Sequence, residues 1–264
     1  MPDIRLVAID MDGTLLNDQK IVSIQDLNAV ERALSEKVVI GIASARDWAS
    51  IRLKFPFTLP GMYFLASGGA LIYDAFQEKL IWARYLDQDH VWEAVTFLKH
   101  YGHPIFLNAE NDYWADRRND RVRMVERRYS LIAQPFSALD GAERRIMRVS
   151  LSAPPEVLER AAAAAQRDLS SRFNISLASP DWLDLLPLGA GKGPVLEELQ
   201  TMLGIDPSNT VAIGDYTCDV DLFEHAHYRV AMGNAVESLK AAATHVTADN
   251  NHDGVSQFLQ SWLN

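Results

Sequence analysis

A chain of 264 residues, 48% hydrophobic and 23% charged, has the composition of an ordinary soluble globular protein and enough length for a full core plus an inserted module. Its formal charge of −10 argues against a general nucleic-acid binder and obliges any anion-handling site to concentrate positive charge locally. The single cysteine, Cys218, excludes an internal disulfide framework, and no segment approaches ~18 uninterrupted apolar residues.

The Met1-Pro2-Asp3 start carries no basic region followed by an apolar core, which together with the single cysteine predicts a cytoplasmic chain. The first apolar run, Ile4-Arg5-Leu6-Val7-Ala8-Ile9, leads into Asp10-Met11-Asp12-Gly13-Thr14. Such a run reads as a buried parallel strand that delivers two carboxylates to an exposed loop. With one acid aimed at an electrophile and the other at a leaving group, Asp10 and Asp12 make a nucleophile and a general acid/base. A calcium loop of the EF-hand type fails here, because its fifth and twelfth positions would be Thr14 and Ile21.

Leu27, Val30, Ala33 and Leu34 fall at helical spacing, predicting a helix over 25–36 that leads into a strand at Val38–Ala43. That strand empties into Ser44-Ala45-Arg46, and a third, Met62–Ala66, into Ser67-Gly68-Gly69. From about residue 81 to 186 the character changes. Helical patterns at 88–101, 117–129 and 155–169 alternate with strand-like runs at 104–108, 145–152, 174–178 and 182–186, which predicts an inserted α/β domain.

The first fold then resumes. Gly189–Pro194 opens a helix, Thr210–Ile213 is a strand ending in Gly214-Asp215, and two further strands end in Gly233-Asn234 and Asp249-Asn250. The expected layout is an α/β doubly wound parallel sheet, residues 1–80 and 187–264, interrupted by an α/β cap over 81–186. Ligands of such sheets bind outside the carboxyl ends of the strands, where Asp10, Ser44, Asp215 and Asn234 stand.

Phosphoryl transfer to an aspartate needs a divalent cation and fixed donors to offset several negative charges. Asp10 and Asp215 each offer a hard oxygen, with the Asp12 carbonyl as a third, a donor set that suits magnesium. Asp219 would hold the metal directly or orient its waters, Ser44 would bind phosphate oxygens, and Lys192 would supply fixed positive charge. Gly191-Lys192-Gly193 is not a Walker-type phosphate loop: its first glycine would fall at Leu186, and a glycine follows the lysine.

These residues, in this order, resemble the haloacid dehalogenase-like superfamily of phosphatases, and within it the Cof-type hydrolases with a large inserted cap. Asp10-Met11-Asp12-Gly13-Thr14 matches the first motif, Ser44 the second, Lys192 the third, and Gly214-Asp215 with Asp219 the fourth. Ala231–Ala235 and Asp249–Val255 look like the subgroup's C-terminal signature. The resemblance implies a HAD-like Rossmannoid core, a nucleophile at Asp10, an acid/base at Asp12 and phosphate or substrate contacts from Ser44, Ala45, Arg46, Lys192 and Asn234. It implies metal binding (Mg2+) by Asp10, Asp12, Asp215 and Asp219. The expected partner is a small phosphorylated metabolite, sugar phosphates first, handled by a monomer or homodimer without nucleic acid or membrane. The rival expectation is a degenerate member that binds without turnover, and a phosphomutase stands third.

The chain departs from the usual pattern at Ser44-Ala45-Arg46 (Gly at the middle position), at Ser67-Gly68 (Asn-Gly) and at Gly214-Asp215-Tyr216-Thr217-Cys218-Asp219, where Tyr216 replaces Ser and Cys218 replaces Asn. Six arginines lie between 117 and 128; 117, 121 and 128 are expected to share a solvated face beside a buried stripe of Val122, Val125 and Tyr129. Trp82, Trp92, Trp114 and Trp182 are expected mainly as core, with Tyr113-Trp114 as a candidate stacking surface. Cys218 is expected to pack, the alternative being a thiol made acidic by a helix N-terminus.

Overall fold

A computed structural model of the chain describes residues 3–110, 112–129, 131–139 and 145–263. In chain order its elements begin with β1 Leu6–Asp10, α1 Ile24–Ser35, β2 Val39–Ala43, α2 Trp48–Arg52, β3 Met62–Ala66, β4 Leu71–Asp74 and β5 Lys79–Ala83. There follow α3 Gln88–Lys99, β6 Ile105–Asn108, β7 Tyr113–Ala115, α4 Asp120–Tyr129, β8 Ala133–Pro135, β9 Arg148–Ser152, α5 Pro155–Leu169, β10 Phe173–Ser179 and β11 Trp182–Pro187. The last are α6 Lys192–Leu203, β12 Thr210–Gly214, α7 Val220–Glu224, β13 Tyr228–Ala231, α8 Glu237–Ala242, β14 His245–Val246 and α9 Gly254–Leu263. The chain divides into two compact units, Met1–Trp82 with Lys192–Asn264, and Ala83–Gly191.

The discontinuous unit is built on a sheet of order β14-β13-β12-β1-β2-β3-β4-β5. Pairing is parallel from β14 through β3 and turns antiparallel at β3/β4. All five residues of β1 are buried, as an unbroken apolar run between two neighbouring strands requires. In α1, Ala29, Val30, Ala33 and Leu34 are buried, and Ser23 caps the helix by accepting the Asp26 N–H at 3.0 Å. Successive strands run outward from β1 to β2 and β3 on one side, and from β12 to β13 and β14 on the other. The strand order therefore reverses between β1 and β12, and the crevice at their carboxyl ends is the natural ligand site of this topology.

The second unit carries a sheet of order β10-β11-β9-β6-β7-β8, antiparallel except for β7/β8. Strand alternation divides its core in two. Ile105, Leu107, Val149, Leu151, Leu183 and Leu185 pack with α3 and α5, whereas Phe106, Tyr113 and Trp182 pack with Val122 and Val125 of α4. The expected helix over 117–129 starts later, at Asp120, because the Asn119 side chain accepts the Val122 N–H at 2.9 Å and caps it there. β4 and β5, and the three-residue strands β7 and β8, were not predicted; segments that short show no resolvable period.

Val122 and Val125 are buried as expected, while the side chains of Arg128 and Tyr129 lie outside the described residues. The solvated-face expectation does not hold for Arg121. It is part-buried and donates to Ser152 Oγ at 2.9 Å and to the Ala153 carbonyl at 3.0 Å. Trp114 and Trp182 are core, and Tyr113 is buried with them, so neither member of Tyr113-Trp114 offers an open ring; Trp92 is 43% exposed. Among the described residues no helix is long and apolar enough to cross a membrane.

Candidate active site

β1 ends at Asp10, which is buried, and the following loop is closed by N–H bonds from Leu15 to the Asp10 carbonyl and from Leu16 to the Met11 carbonyl. Gly13 has φ +95°, and a Cβ there would run into the Asp215 carboxylate, so the loop admits only glycine. The next residue, Thr14, is fully buried and donates its hydroxyl to Asp215 Oδ1 at 2.8 Å. The first loop and the end of β12 are thus locked across the switch point.

Lys192, the first residue of α6, reaches back with its ammonium 2.5 Å from Asp10 Oδ1 and 2.6 Å from Asp219 Oδ1. Its neighbour explains the glycine that ruled out a phosphate loop. A Cβ on Gly193 would collide with the Asp221 carbonyl and the His225 ring, and the Gly193 N–H donates to Asp221 Oδ2 at 3.0 Å, satisfying one open donor of the helix start. Asp219, fully buried, uses its other oxygen to accept the N–H groups of Asp215 and Tyr216, each at 3.0 Å. It thereby holds both the lysine and the loop that carries Asp215.

Ser44 follows β2 and is buried; its hydroxyl oxygen accepts the Arg46 N–H at 3.1 Å, and the half-buried Ala45 lies between. Arg46, expected among the phosphate or substrate contacts, is buried and grips Asp12 with two bonds, Nε to Oδ2 at 2.6 Å and a terminal nitrogen to Oδ1 at 2.9 Å. Lys20 adds a third contact to Asp12 Oδ1 at 3.1 Å. Asn234, expected in the same class, donates to the Gly13 carbonyl at 2.8 Å and accepts the Asn250 N–H at 3.1 Å. Asn250 in turn donates to the Leu16 carbonyl at 3.0 Å. In this arrangement Asn234 and Asn250 brace the backbone of the first loop.

Burial and then the Asp219 charge drive Asp10 well above the usual carboxylate range, with Lys192 offsetting part of the rise. Asp215 is pushed up to about 6 by the same two causes. Burial works against charge on Lys192, yet Asp10 and Asp219 outweigh it and hold the ammonium well above its ordinary value. Burial would also raise Asp12, but the Arg46 hydrogen bonds and charge prevail and lower it to about 2. Cys218 titrates far above an ordinary thiol because of burial and then Asp219, which rules out the acidic-thiol alternative.

One oxygen from each of Asp10, Asp215 and Asp219 lies within 4.8 Å of the others. Burial and the Asp219 charge raise both Asp10 and Asp215, the mark of a cluster with more negative charge than one lysine neutralises, which fits a hard divalent cation held by oxygens. Asp10 and Asp215 are the better placed ligands, since both Asp219 oxygens already accept protein donors. Sequence reasoning missed the bracing parts. Thr14 and Asn250 lay inside recognised motifs but had no assigned role, while Lys20 and Asp221 carried no local signal for theirs.

The profile of the haloacid dehalogenase-like hydrolase family matches residues 7–259. A 5-amino-6-(5-phospho-D-ribitylamino)uracil phosphatase of Bacillus subtilis, YcsE, is 26% identical over 261 residues, covering 99% of this chain and 96% of the relative. A second B. subtilis protein of the same name, YwtE, is 26% identical over 288 residues, covering 98% of each. The solved structure of a haloacid dehalogenase-like hydrolase from B. subtilis superposes with a TM-score of 0.87 over 97% of this chain and 99% of that one, at 22% identity, and has the same fold. The chain belongs to the haloacid dehalogenase-like hydrolases.

Proposed function

We propose that this hydrolase is a magnesium-dependent phosphatase that releases phosphate from small phosphorylated metabolites through a phosphoryl group carried on Asp10. The observation that carries the reading is the placement of Asp10 at the carboxyl end of β1, 2.5 Å from the Lys192 ammonium and within the 4.8 Å oxygen set it forms with Asp215 and Asp219. A bound magnesium ion, held by Asp10, Asp215 and the Asp12 carbonyl, would supply charge neutralisation at the phosphoryl oxygens.

The Asp10 carboxylate attacks phosphorus and the phosphate-ester bond breaks. The departing alkoxide takes a proton from Asp12 in its acid form. Water then attacks the phosphoryl group on Asp10 while Asp12, now ionised, accepts the water's proton, and Asp10 and inorganic phosphate are released. Lys192 offsets charge beside the nucleophile, and the Ser44 hydroxyl is a donor for the phosphoryl oxygens. Held by Arg46, Asp12 stands in its base form; the acid step therefore requires its carboxyl to part from the guanidinium.

The B. subtilis relatives are named for a substrate with a phosphorylated ribityl chain, which puts sugar and sugar-alcohol phosphates first among candidates here. A cytoplasmic monomer or homodimer, without nucleic-acid or membrane partners, completes the reading. A role without turnover is the weaker reading, because Asp10, Asp12, Ser44, Lys192 and Asp215 are all present and a chain released from catalysis has no need of all five.

The test is phosphate release from a panel of sugar phosphates, 5-amino-6-(5-phospho-D-ribitylamino)uracil included, with magnesium, with excess chelator and with Asp10→Asn. Release should require magnesium and vanish in Asp10→Asn. Release that survives Asp10→Asn at the parent rate would overturn the assignment of the nucleophile, and full rate in chelator would overturn the metal.

A further inference from the structure

Beside the phosphoryl site the core unit gathers more positive charge than its acids use. Asp12 is contacted by both Arg46 and Lys20. Lys54 joins this group: its ammonium donates to the Lys20 carbonyl at 3.0 Å, and among the described residues no carboxylate pairs with it. Burial, and then the charge of Arg46, lower the Lys54 pKa, while Asp12 raises it and Lys20 lowers it further. Three cations thus surround one carboxylate in a chain of net charge −10, and Lys20 and Asp12 are open to solvent, with side chains 50% and 37% exposed.

The backbone shows that Lys20 is held there at a cost. Asn17 and Lys20 close a tight turn, Lys20 N–H to the Asn17 carbonyl at 2.9 Å and Asn17 N–H to the Ile21 carbonyl at 3.0 Å, and Lys20 sits in the left-handed region with φ +61°. That position ordinarily takes glycine or asparagine, and another residue there costs about 1 kcal/mol.

We infer that Lys20 and Lys54, with Arg46 behind them, form a second anion subsite, so that the substrate carries another anionic group, a carboxylate or a second phosphate, a few bonds from the phosphoryl group that Asp10 attacks. The inference rests on the phosphatase reading of the same site and narrows its substrate class to doubly anionic metabolites. Lys54, which no carboxylate pairs with among the described residues, and Lys20, which shares Asp12 with Arg46, would together contribute on the order of 1.4 kcal/mol or more of discrimination, about tenfold.

The experiment compares two pairs of phosphate monoesters: glycerol 3-phosphate with 3-phosphoglycerate, and fructose 6-phosphate with fructose 1,6-bisphosphate. In each pair only the second bears the additional anion. The parent enzyme should prefer the doubly anionic member of at least one pair by about tenfold or more in kcat/KM. Preference in the first pair identifies a carboxylate, and in the second a phosphate. Lys54→Met and Lys20→Met should each reduce that preference several-fold, with Lys54→Arg retaining it. Equal kcat/KM within both pairs, or a preference unmoved by both methionine variants, overturns the subsite. If none of the four compounds is turned over, that result bears on the choice of substrates, and the phosphatase reading stands or falls on the panel above. Calorimetric titration of the Asp10→Asn protein with all four compounds then decides the subsite by itself, and equal affinity within both pairs overturns it.

Discussion

The Asp12 carboxylate and the Arg46 guanidinium face each other fork to fork, 2.6 and 2.9 Å apart, although 34 positions separate them in the chain. Geometry of this kind is both strong and orienting. It orients the Asp12 carboxylate and favours its ionised form, so in the proposed mechanism Arg46 sets how Asp12 enters the reaction.

Replacing that guanidinium by an amide, Arg46→Gln, should slow steady phosphate release from an aryl phosphate by about tenfold, less than the ~10²–10⁴ expected for loss of a general acid/base altogether. Steady-state rates of Arg46→Gln and Asp12→Asn measured side by side check this. A parent-like rate would make the ion pair inert. A loss larger than that of Asp12→Asn would mean that Arg46 touches the substrate itself.

Asp12→Asn should separate the two half-reactions. With a good leaving group, attack by Asp10 proceeds without a proton donor, whereas activation of water for the second step does not. Rapid-quench measurement with an aryl phosphate should show a burst near one equivalent of phenol followed by a much slower steady phase. Uniform slowing without a burst, the same for good and poor leaving groups, would contradict the role.

Thr14→Val keeps the shape of a fully buried side chain and removes its hydrogen bond to Asp215. A carboxylate that loses such a donor inside the protein costs about 1–3 kcal/mol, and Asp215 should rise further above its present value of about 6. The expected outcome is a lower urea midpoint and a higher magnesium concentration for half-maximal activity. An unchanged magnesium requirement would confine Thr14 to packing.

Asp26 supplies a pH signature away from the site. It is buried on α1 and accepts the Ser256 N–H at 2.7 Å near the start of α9; burial raises it to about 6 despite that bond. A carboxyl whose folded pKa exceeds its unfolded value near 3.8 contributes stability that is full below about pH 4 and lost as pH rises to about 6, on the order of 3 kcal/mol in all. Asp26→Asn keeps an acceptor and cannot ionise. Relative to the parent its stability should therefore climb between pH 4 and pH 7, as read from urea midpoints at successive pH values. A difference that stays flat over that range would mean that Asp26 titrates normally.

The strands that end in Asp10, Ser44, Asp215 and Asn234, and the lysine that opens α6, were legible because each lies on a short apolar run or a helix start whose period is local. The charged actors follow from that placement, since a parallel sheet presents the carboxyl ends of its strands on one side. Less was legible in the second unit, where β7 and β8 are three residues each. Arg121 also defeated the pattern, because its partners Ser152 and Asp181 stand 31 and 60 positions away.

By itself the sequence determined which residues carry charge at which strand ends, because hydrophobic period and chain order suffice for that. Tertiary structure decided what those residues hold. Arg46 turns to Asp12, Asn234 crosses 221 positions to the Gly13 carbonyl, and Asp219 gives one oxygen to Lys192 and the other to two backbone N–H groups. Such pairings depend on the order and register of strands that meet across the sheet. No local period encodes that register; it follows from burying all the strands at once against their neighbours.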